Sequence, residues 1–406
     1  MFKLKLPWQI LIGLCLGVLF GMFLTDYISY VSWLGTLFLR ALKMIIVPLI
    51  LTSIASGVAN IGNAQNLGRL GLKTFAYYIT TSLFAIVTGL VLVNLIQPGV
   101  GADLGLSHTV EGMKTVGGLD NILLRMVPTN IFDAFASGEM LAIIFFAILI
   151  GYFVTRIEAK YKDPIINLIN GGFEVMMKLT GFIIKLTPIG VFGIVAGIVA
   201  KEASNSAALF NLVHRLGLYM SSVILGLIFH AFVTLPLFLK IVGKVNPWLH
   251  LKAMSAALIT AFSTASSMST LPLTLESVEH KSGVSNKVTS FVLPLGATVN
   301  MDGTALYECV AAMFIAQAYG IDLSFMQQLI VVFTALLASI GAAGIPMAGF
   351  VMISVILSSV GLPLEGVGLI LAIDNILDMC RTTINVWSDS CGAVIIAKTE
   401  GETLKV

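Results

Sequence analysis

Long apolar windows between charged residues constrain this chain more than any other feature. A helix of ~20 apolar residues crosses the ~30 Å hydrocarbon core of a lipid bilayer. The sequence contains eight such windows and therefore predicts an all-α polytopic membrane protein with eight transmembrane helices. The predicted spans lie near 8–25, 33–60, 71–97, 131–155, 165–200, 208–239, 284–317 and 364–397.

The composition excludes the soluble classes of protein. Of 406 residues, 57% are hydrophobic, 23 are basic and 21 are acidic, whereas a soluble chain of this length carries roughly 100 charged residues. A net charge of +2 provides no basic surface for nucleic acid. The five histidines are scattered and match no zinc-binding motif. We therefore expect neither an enzyme nor an organic cofactor.

The distribution of lysine and arginine predicts the orientation in the membrane. These residues are enriched in cytoplasmic loops, and here they fall in every second connection and in the C-terminal tail. Both termini are therefore expected in the cytoplasm, and the short prokaryote-like chain indicates the inner membrane. The residues concerned are Arg69, Lys73, Arg156, Lys160, Lys162, Lys240, Lys244, Lys252, Lys398 and Lys405.

Two further apolar stretches, 253–275 and 326–361, do not fit as simple spans. Small residues and proline interrupt them, in TASSMSTLP (264–272) and GAAGIPMAG (341–349). Irregular backbone at membrane depth is tolerated only where it is buried in protein or lines a watery cavity. We expect two re-entrant helical hairpins whose tips lie near the membrane midplane, as in transporters built from broken helices.

The span between these hairpins carries an acidic interruption, GATVNMDGTALYE at 296–308. An acidic residue at the centre of a transmembrane helix costs ~2.5–3.5 kcal/mol on insertion scales. Asp302 therefore needs a partner, and a bound cation is one candidate.

The last span carries a polar face. At 100° per residue its polar side chains fall within a sector of roughly 100°. Arg381 can pair with a carboxylate through two parallel hydrogen bonds, and Asp378 can accept from an ammonium group. The pattern predicts a site for a zwitterion with a second acid group; the alternative is an internal Arg381–Asp378 pair in a salt-bridged core helix. The face consists of Asp374, Asp378, Arg381, Thr382, Asn385 and Asp389.

Four motifs in this order resemble the dicarboxylate/amino acid:cation symporters, the glutamate transporter family. They are ASSMSTLP (265–272), NMDGT (300–304), GAAGIPMAG (341–349) and the segment 378–389, which begins DMCRTTINV and ends at Asp389. The resemblance covers essentially the whole chain. It implies the elevator-type glutamate transporter fold in membrane lipid, assembled as a homotrimer in which each subunit transports on its own.

The resemblance also implies a division into two domains. A fixed scaffold would comprise 1–70 and 131–200, which contain spans one, two, four and five. The moving transport domain would comprise 71–97 and 208–406, which contain span three, span six, both hairpins and the last two spans.

The family's substrate residues carry over by motif. The side-chain acid of the substrate would meet Arg381, its amino group Asp378, and its α-carboxylate Asn385 and the first hairpin tip. Met301 would lie between the substrate and sodium sites and couple them. The implied substrate-binding set is Ser266, Ser267, Thr304, Ile345, Gly349, Asp378, Arg381, Thr382 and Asn385.

The resemblance implies three sodium sites, with Na⁺ as the co-transported ion. One would use Asp389 with oxygens of Gly296, Asn300 and Asn385. Another would use backbone around Thr298, Ser339, Ile340 and Ala342. The third would use Tyr78, Thr81, Ser82, Asn300 and Asp302.

Three positions depart from the family's better-known members. Archaeal members have an arginine at the position of Ala265, and animal members have one at the position of Met379, so Asp374 is expected to lack a counter-charge. Glu308 replaces the archaeal glutamine and matches the animal glutamate linked to protons. It is a candidate proton carrier or, alternatively, a structural hydrogen-bonding residue.

The expected function is secondary active import of L-aspartate or L-glutamate coupled to sodium, with proton coupling left open. The alternative within transport is a proton-coupled carrier of dicarboxylates or neutral amino acids. An intramembrane enzyme would need a motif such as GxSxG, which the chain lacks. A channel would differ from all of these because its flux would not saturate with substrate.

Overall fold

The described part of the chain is built from helices. The structure is a computed structural model that describes residues 6–62, 68–102, 124, 126–202, 206–341 and 348–406, and these ranges contain no strand. In chain order the helices are α1 (Leu6–Phe23), α2 (Ser29–Gly62), α3 (Gly68–Ile96), α4 (Ile131–Ser137), α5 (Met140–Val154), α6 (Ala159–Ile184), α7 (Thr187–Glu202), α8 (Ser206–Phe229), α9 (Leu235–Ile241), α10 (Pro247–Thr264), α11 (Ser267–Glu276), α12 (Asn286–Val299), α13 (Asp302–Ala318), α14 (Phe325–Gly341), α15 (Ala348–Val360) and α16 (Val367–Thr399). Short π-helical segments follow α8 (His230–Thr234) and α11 (Ser277–Ser282).

Several of these helices have the length and apolar character of membrane spans. Three qualify within the described residues, namely Ser29–Ala59, Arg69–Ile96 and Val213–Ile241. α6 and α7 together make a fourth candidate, although the chain bends by 51° between them. The helices are those of a multi-pass membrane protein, as expected, while the count of eight spans stays a prediction.

Two predicted spans were wrong as single helices. The span 131–155 is divided into α4 and α5 at Gly138, which adopts a left-handed conformation with φ of 69°. The span 165–200 is divided into α6, which ends at Ile184, and α7, which begins at Thr187. Pro188 has no N–H to donate to the Ile184 carbonyl four residues earlier, and its ring would clash with that carbonyl in a continuous helix. Both breaks lie in the predicted scaffold.

The N-terminal helices cross one another at very short distance. α1 and α2 both pack on α7, and Gly13, Gly17 and Gly21 place one glycine per turn on α1. A Cβ on Gly13 would lie 2.3 Å from the Pro188 carbonyl oxygen, and one on Gly17 would lie 2.9 Å from that of Phe192. Only glycine permits this approach, which is a common way for helices to associate in membranes.

The C-terminal half is organised around α16. This helix packs against α8, α10, α11, α12 and α13, while α13 also packs on α3, α14 and α15. α13 is buried from Asp302 to Ala316. The polar face of α16 therefore looks into protein and not into lipid.

Both predicted hairpins are pairs of helices that pack against each other. α10 packs on α11, and α14 packs on α15. α10 ends at Thr264, and Ala265 after it has a left-handed φ of 47°, which is strained for a residue with a Cβ. Ser266 then caps α11 by accepting from the Ser269 N–H at 3.2 Å. The corresponding tip at 342–347 lies outside the described residues.

An ion cluster joins the ends of α3 and α16. The Glu400 carboxylate lies 2.8 Å from the Arg69 guanidinium and 2.6 Å from the Lys73 ammonium. Hydrogen bonds from Arg69 and then Lys73 lower the pKa of Glu400 to about 2. The start of α3, which is distant in sequence, is thereby fixed beside the end of α16.

Candidate substrate and cation site

A buried guanidinium occupies the centre of the polar face of α16. Arg381 is 1% exposed, and its Nε donates to Asp378 Oδ1 at 3.0 Å while Nη2 lies 2.9 Å from the same oxygen. The guanidinium carbon stands 4.0 Å from the centre of the Tyr307 ring, a cation–π distance. The internal Arg381–Asp378 pair considered as an alternative is therefore present.

Asp374 has a partner, so the expectation that it would lack a counter-charge was wrong. Its Oδ1 accepts from Arg381 Nη1 at 3.0 Å and from the Tyr307 hydroxyl at 2.5 Å. Asp374 precedes Arg381 by seven residues, so the two lie two turns apart on one helix face, and the long arginine side chain spans that distance. Arg381 itself supplies the charge that Ala265 and Met379 do not.

The other predicted substrate residues of α13, α15 and α16 gather beside this arginine. Asn385 donates to Thr304 Oγ1 at 3.0 Å, and its own oxygen accepts from the Gly303 N–H at 2.8 Å. A Cβ on Gly349 would lie 3.2 Å from the guanidinium and 3.3 Å from the Thr304 methyl group. Close packing therefore favours glycine at 349.

Met301 lies where an adaptable side chain is needed. It is buried in the break between α12 and α13, and Asn385 Nδ2 approaches its sulfur at 3.3 Å. Met301 is thus in contact with a predicted substrate residue, next to Asn300 and Asp302 of the predicted sodium sites. Its proposed coupling role stays a prediction.

The remaining predicted substrate residues are placed less directly. Ser266 and Ser267 are buried at the break between α10 and α11, and α11 packs on α16. Thr382 is buried beside Arg381 on α16. Ile345 lies outside the described residues, as does Ala342 of the predicted sodium set.

A chain of hydrogen bonds joins the two carboxylates predicted to bind sodium. Asn300 Nδ2 donates to Asp389 Oδ1 at 2.9 Å and to Ser388 Oγ at 3.0 Å. Ser388 in turn donates to Asp302 Oδ2 at 2.5 Å. The Asn300 amide therefore contacts Asp389 directly and is connected to Asp302 through the Ser388 hydroxyl.

Gly296 and Tyr78 lie on the Asp389 side of this network. A Cβ on Gly296 would stand 2.4 Å from Asp389 Oδ1 and 2.9 Å from the Tyr78 hydroxyl. That hydroxyl donates to the Val292 carbonyl at 2.6 Å. The absence of a side chain at 296 lets the carboxylate approach the backbone of α12, whose carbonyls are natural cation ligands.

Thr81 and Ser82 lie on the Asp302 side. Both hydroxyls donate to Asp302 Oδ1, at 3.3 Å and 2.6 Å. The structure therefore joins α3 to the break before α13 through the residues that the sodium prediction named.

The predicted sodium set of Thr298, Ser339, Ile340 and Ala342 is only partly placed. Thr298 and Ser339 direct their hydroxyls to carbonyls of their own helices, those of Leu295 and Leu336. Ile340 lines a narrow crevice between α3, α12 and α14 together with Tyr78 and Ser82. No described contact joins Thr298 to Ser339 in a common site.

Glu308 is fully buried on α13, and neither carboxylate oxygen has a hydrogen-bond partner among the described residues. The structural hydrogen bond considered as its alternative role is therefore not seen in this conformation. The residue belongs to the helix that also carries Thr304 and Tyr307.

Comparison with known proteins identifies the family. Residues 6–399 match the sodium:dicarboxylate symporter family. The chain belongs to this family. Over 98% of its length it is 37% identical to the proton/glutamate-aspartate symporter of Escherichia coli (strain K12), 93% of which is covered. Over 98% it is 35% identical to the proton/sodium-glutamate symport protein of Bacillus subtilis (strain 168), 94% of which is covered. Over 93% it is 34% identical to excitatory amino acid transporter 3 of Mus musculus, 80% of which is covered.

In this symporter family member, sequence reasoning missed three polar residues that contact the buried aspartates: Ser388, Tyr307 and His230. Ser388 follows Arg381 by seven residues and Asp374 by fourteen, so the helix periodicity that found the other polar residues of α16 also points to it. Tyr307 carries no sequence signal beyond its place in the interrupted span. His230 was set aside with the scattered histidines, yet its Nε2 lies 3.1 Å from Asp302 Oδ2.

Proposed function

We propose that this protein is a secondary active symporter that imports L-aspartate or L-glutamate together with sodium. The observation that carries this proposal is the Arg381 guanidinium, buried between Asp374 and Asp378 and surrounded by Thr304, Gly349 and Asn385. A buried cation beside hydroxyl and amide groups suits a carboxylate ligand, and a neighbouring aspartate suits an ammonium group. Acidic amino acids carry both.

Substrate binding would exchange one ion pair for two. In the arrangement described, Asp378 Oδ1 accepts from Nε of Arg381 and lies 2.9 Å from Nη2. The substrate's side-chain carboxylate would take over that edge of the guanidinium, and Asp378 would turn to the substrate's ammonium group. Asp374 and Tyr307 would keep Nη1 in place throughout. The α-carboxylate would meet Asn385 and the tip at Ser266 and Ser267, with Thr304, Thr382, Gly349 and the backbone at Ile345 completing the pocket.

The surplus of negative charge is the physical reason for cation coupling. Four buried aspartates (Asp302, Asp374, Asp378 and Asp389) face one buried arginine, and an acidic substrate adds a further negative charge. Uncompensated charge inside a membrane is strongly unfavourable. Sodium would be held by Asp389 with Gly296, Asn300 and Asn385; by Asp302 with Tyr78, Thr81, Ser82 and Asn300; and by backbone near Thr298, Ser339, Ile340 and Ala342. Met301, between the substrate and these sites, would couple them.

The elevator mechanism, the homotrimer and the inner-membrane location belong to this proposal. The scaffold would be 1–70 and 131–200, and the transport domain would be 71–97 and 208–406. The close crossing of α1 and α2 on α7, against the polar interior around α16, supports this division. Both termini would be cytoplasmic, and Glu400 would then tie α3 to α16 on that side.

Proton coupling in addition to sodium is supported by Glu308, a buried carboxyl without a hydrogen-bond partner among the described residues. The Escherichia coli relative is named as a proton symporter, and the Bacillus subtilis relative is named as a proton and sodium symporter. A carrier driven by protons alone is the second candidate, and it would assign the coupling role to Glu308.

Binding to the purified protein tests the proposed site. Isothermal titration with L-aspartate, L-glutamate, succinate and L-alanine should give binding of the two acidic amino acids only, and only with sodium present. Succinate lacks the ammonium group for Asp378, and alanine lacks the carboxylate for Arg381. Equal binding of alanine, or aspartate binding that ignores sodium, would refute the proposal.

A further inference from the structure

The Asp302 carboxylate divides its hydrogen bonds between two groups of residues. Oδ1 accepts from Thr81 and Ser82 of α3, and Oδ2 accepts from Ser388 at 2.5 Å and lies 3.1 Å from His230 Nε2. With Asp302 ionised as a cation ligand, the His230 tautomer that carries its proton on Nε2 donates to Oδ2. All five residues are buried.

His230 lies where the backbone changes from α-helix to a short π-helical segment. His230 opens the segment, and its carbonyl accepts from the Leu235 N–H, five residues later, as in a π-helix. Short π-helical segments inside α-helices often occur at functional sites. The extra residue they contain changes the direction in which the following side chains point.

The same segment is fixed from α16. The next carbonyl, that of Ala231, would need the N–H of residue 236, which is a proline and has none. The indole Nε1 of Trp387 donates to that carbonyl at 3.1 Å instead. Trp387 immediately precedes Ser388, so one turn of α16 fixes the backbone beside His230 and also supplies the second donor to Oδ2.

We propose that His230 is a positioning residue for the co-transported cation, which holds Asp302 through Oδ2 so that Oδ1 faces the sodium site made with Thr81 and Ser82. This inference rests on the proposed sodium coupling. When sodium binds, the Thr81 and Ser82 oxygens must offer lone pairs to the ion, so their O–H groups turn away from Oδ1. The donors on Oδ2 need not change, and they keep the carboxylate plane in place.

A purely structural role fits His230 poorly. Its Nδ1 has no hydrogen-bond partner among the described residues, and burying an unsatisfied polar atom is unfavourable. The second buried histidine is different, because His250 contacts Ser282 Oγ at 2.9 Å and Ser390 Oγ at 3.2 Å and stacks on Trp387. His250 contacts no carboxylate in the described part of the chain, so it is the matched control.

The test is the sodium dependence of L-aspartate binding at one fixed pH in His230→Leu, His230→Gln and His250→Gln. His230→Leu should raise the half-saturating sodium concentration about 10-fold, since losing a group that orients a metal ligand typically weakens ion binding 10–100-fold. Aspartate affinity at saturating sodium should change less than about twofold, because Asp302 does not touch the substrate site. His230→Gln keeps an N–H donor and should restore most of the sodium affinity. His250→Gln should lower thermal stability without moving the sodium dependence.

An unchanged sodium half-saturation in folded His230→Leu would overturn the inference, and so would an equal loss of sodium and aspartate affinity. If that variant does not fold, Ser388→Ala decides, because it removes the other donor to Oδ2. A rise in its half-saturating sodium concentration supports the inference, and no rise refutes it. If the unsubstituted protein itself binds aspartate without sodium, the proposed function fails first, and that result is distinct from either outcome.

Discussion

The two halves of this chain are held together by different contacts. Among the described residues up to 200, no charged side chain is buried, and glycines let α1 and α2 approach α7 closely. The half from 206 onward buries six charged side chains on the facing helices α13 and α16. The six residues are Asp302, Glu308, Asp374, Asp378, Arg381 and Asp389. Lipid gives apolar helices no hydrophobic reason to associate, so close backbone packing holds α1, α2 and α7 together, whereas the half from 206 onward also relies on buried ion pairs and hydrogen bonds.

Replacing Arg381 should cause the largest loss of aspartate affinity among these substitutions. Arg381→Ala leaves Asp374 and Asp378 buried without their cation and removes the donor for the substrate carboxylate. Breaking a buried ion pair costs about 3–5 kcal/mol, so we expect a loss of aspartate affinity of at least about 100-fold. Titration of the purified variant measures it, with exposed Arg69→Ala as the control. Aspartate affinity within threefold of the unsubstituted protein would remove Arg381 from the site.

Replacing Asp389, a predicted sodium ligand, should change the sodium dependence of binding more than the aspartate affinity. Asp389→Asn removes one negative charge next to Gly296 and Asn300 but leaves Arg381 untouched. We expect the half-saturating sodium concentration to rise about 10-fold or more, while aspartate affinity at saturating sodium recovers. Sodium-dependent binding measures both quantities. A variant with unaltered sodium dependence would show that Asp389 is a structural residue.

Glycine substitutions in α7, in the half up to residue 200, should change the stability of the protein and not its ligand affinity. A Cβ on Gly193 of α7 would lie 2.6 Å from the Gly35 amide nitrogen, whereas one on Gly197, a turn later, meets nothing within 4 Å. Gly193→Ala should destabilise the protein by about 1–3 kcal/mol, as overpacking does. Gly197→Ala should be neutral. Thermal unfolding compares the pair, and equal unfolding temperatures would contradict the close crossing.

The smallest effect on stability is expected at the contact between Glu400, which follows α16, and the start of α3. Glu400→Gln weakens the exposed contacts with Arg69 and Lys73, and exposed ion pairs contribute little to stability. The pKa of Glu400 is lowered, so its contribution is present above the ordinary value for glutamate and disappears as the pH falls through about 2. Thermal unfolding between pH 5 and pH 8 should therefore show a small difference between variant and parent that does not change with pH. A difference that changes across this range would contradict it.

Much of the polar half could be predicted from the sequence. Charge inside apolar windows is rare enough that the spacing from Asp374 to Asp389 already indicated a buried face, and the structure brings Thr304, Gly349, Asp378, Arg381 and Asn385 together. The motifs indicated the family, which the comparisons confirm. The breaks at 265–266 and 300–301 follow from local residue types in the same way.

The rest depended on contacts between distant parts of the chain. Asp374 was expected to lack a partner because neither Ala265 nor Met379 is an arginine. In the structure Arg381 contacts both Asp374 and Asp378. His230 meets Asp302 across 72 residues of sequence, and no local pattern predicts such a contact. The bend between α6 and α7 carried a proline signal at Pro188 that the apolar window obscured.

Transport itself tests the central claim most directly. Purified protein in proteoliposomes is given radiolabelled L-aspartate under an inward sodium gradient at equal pH, and separately under an inward proton gradient without sodium. Accumulation should require sodium, saturate with aspartate and disappear in Arg381→Ala. Accumulation driven by the proton gradient alone and indifferent to sodium would contradict it and move the coupling role from Asp302 and Asp389 to Glu308.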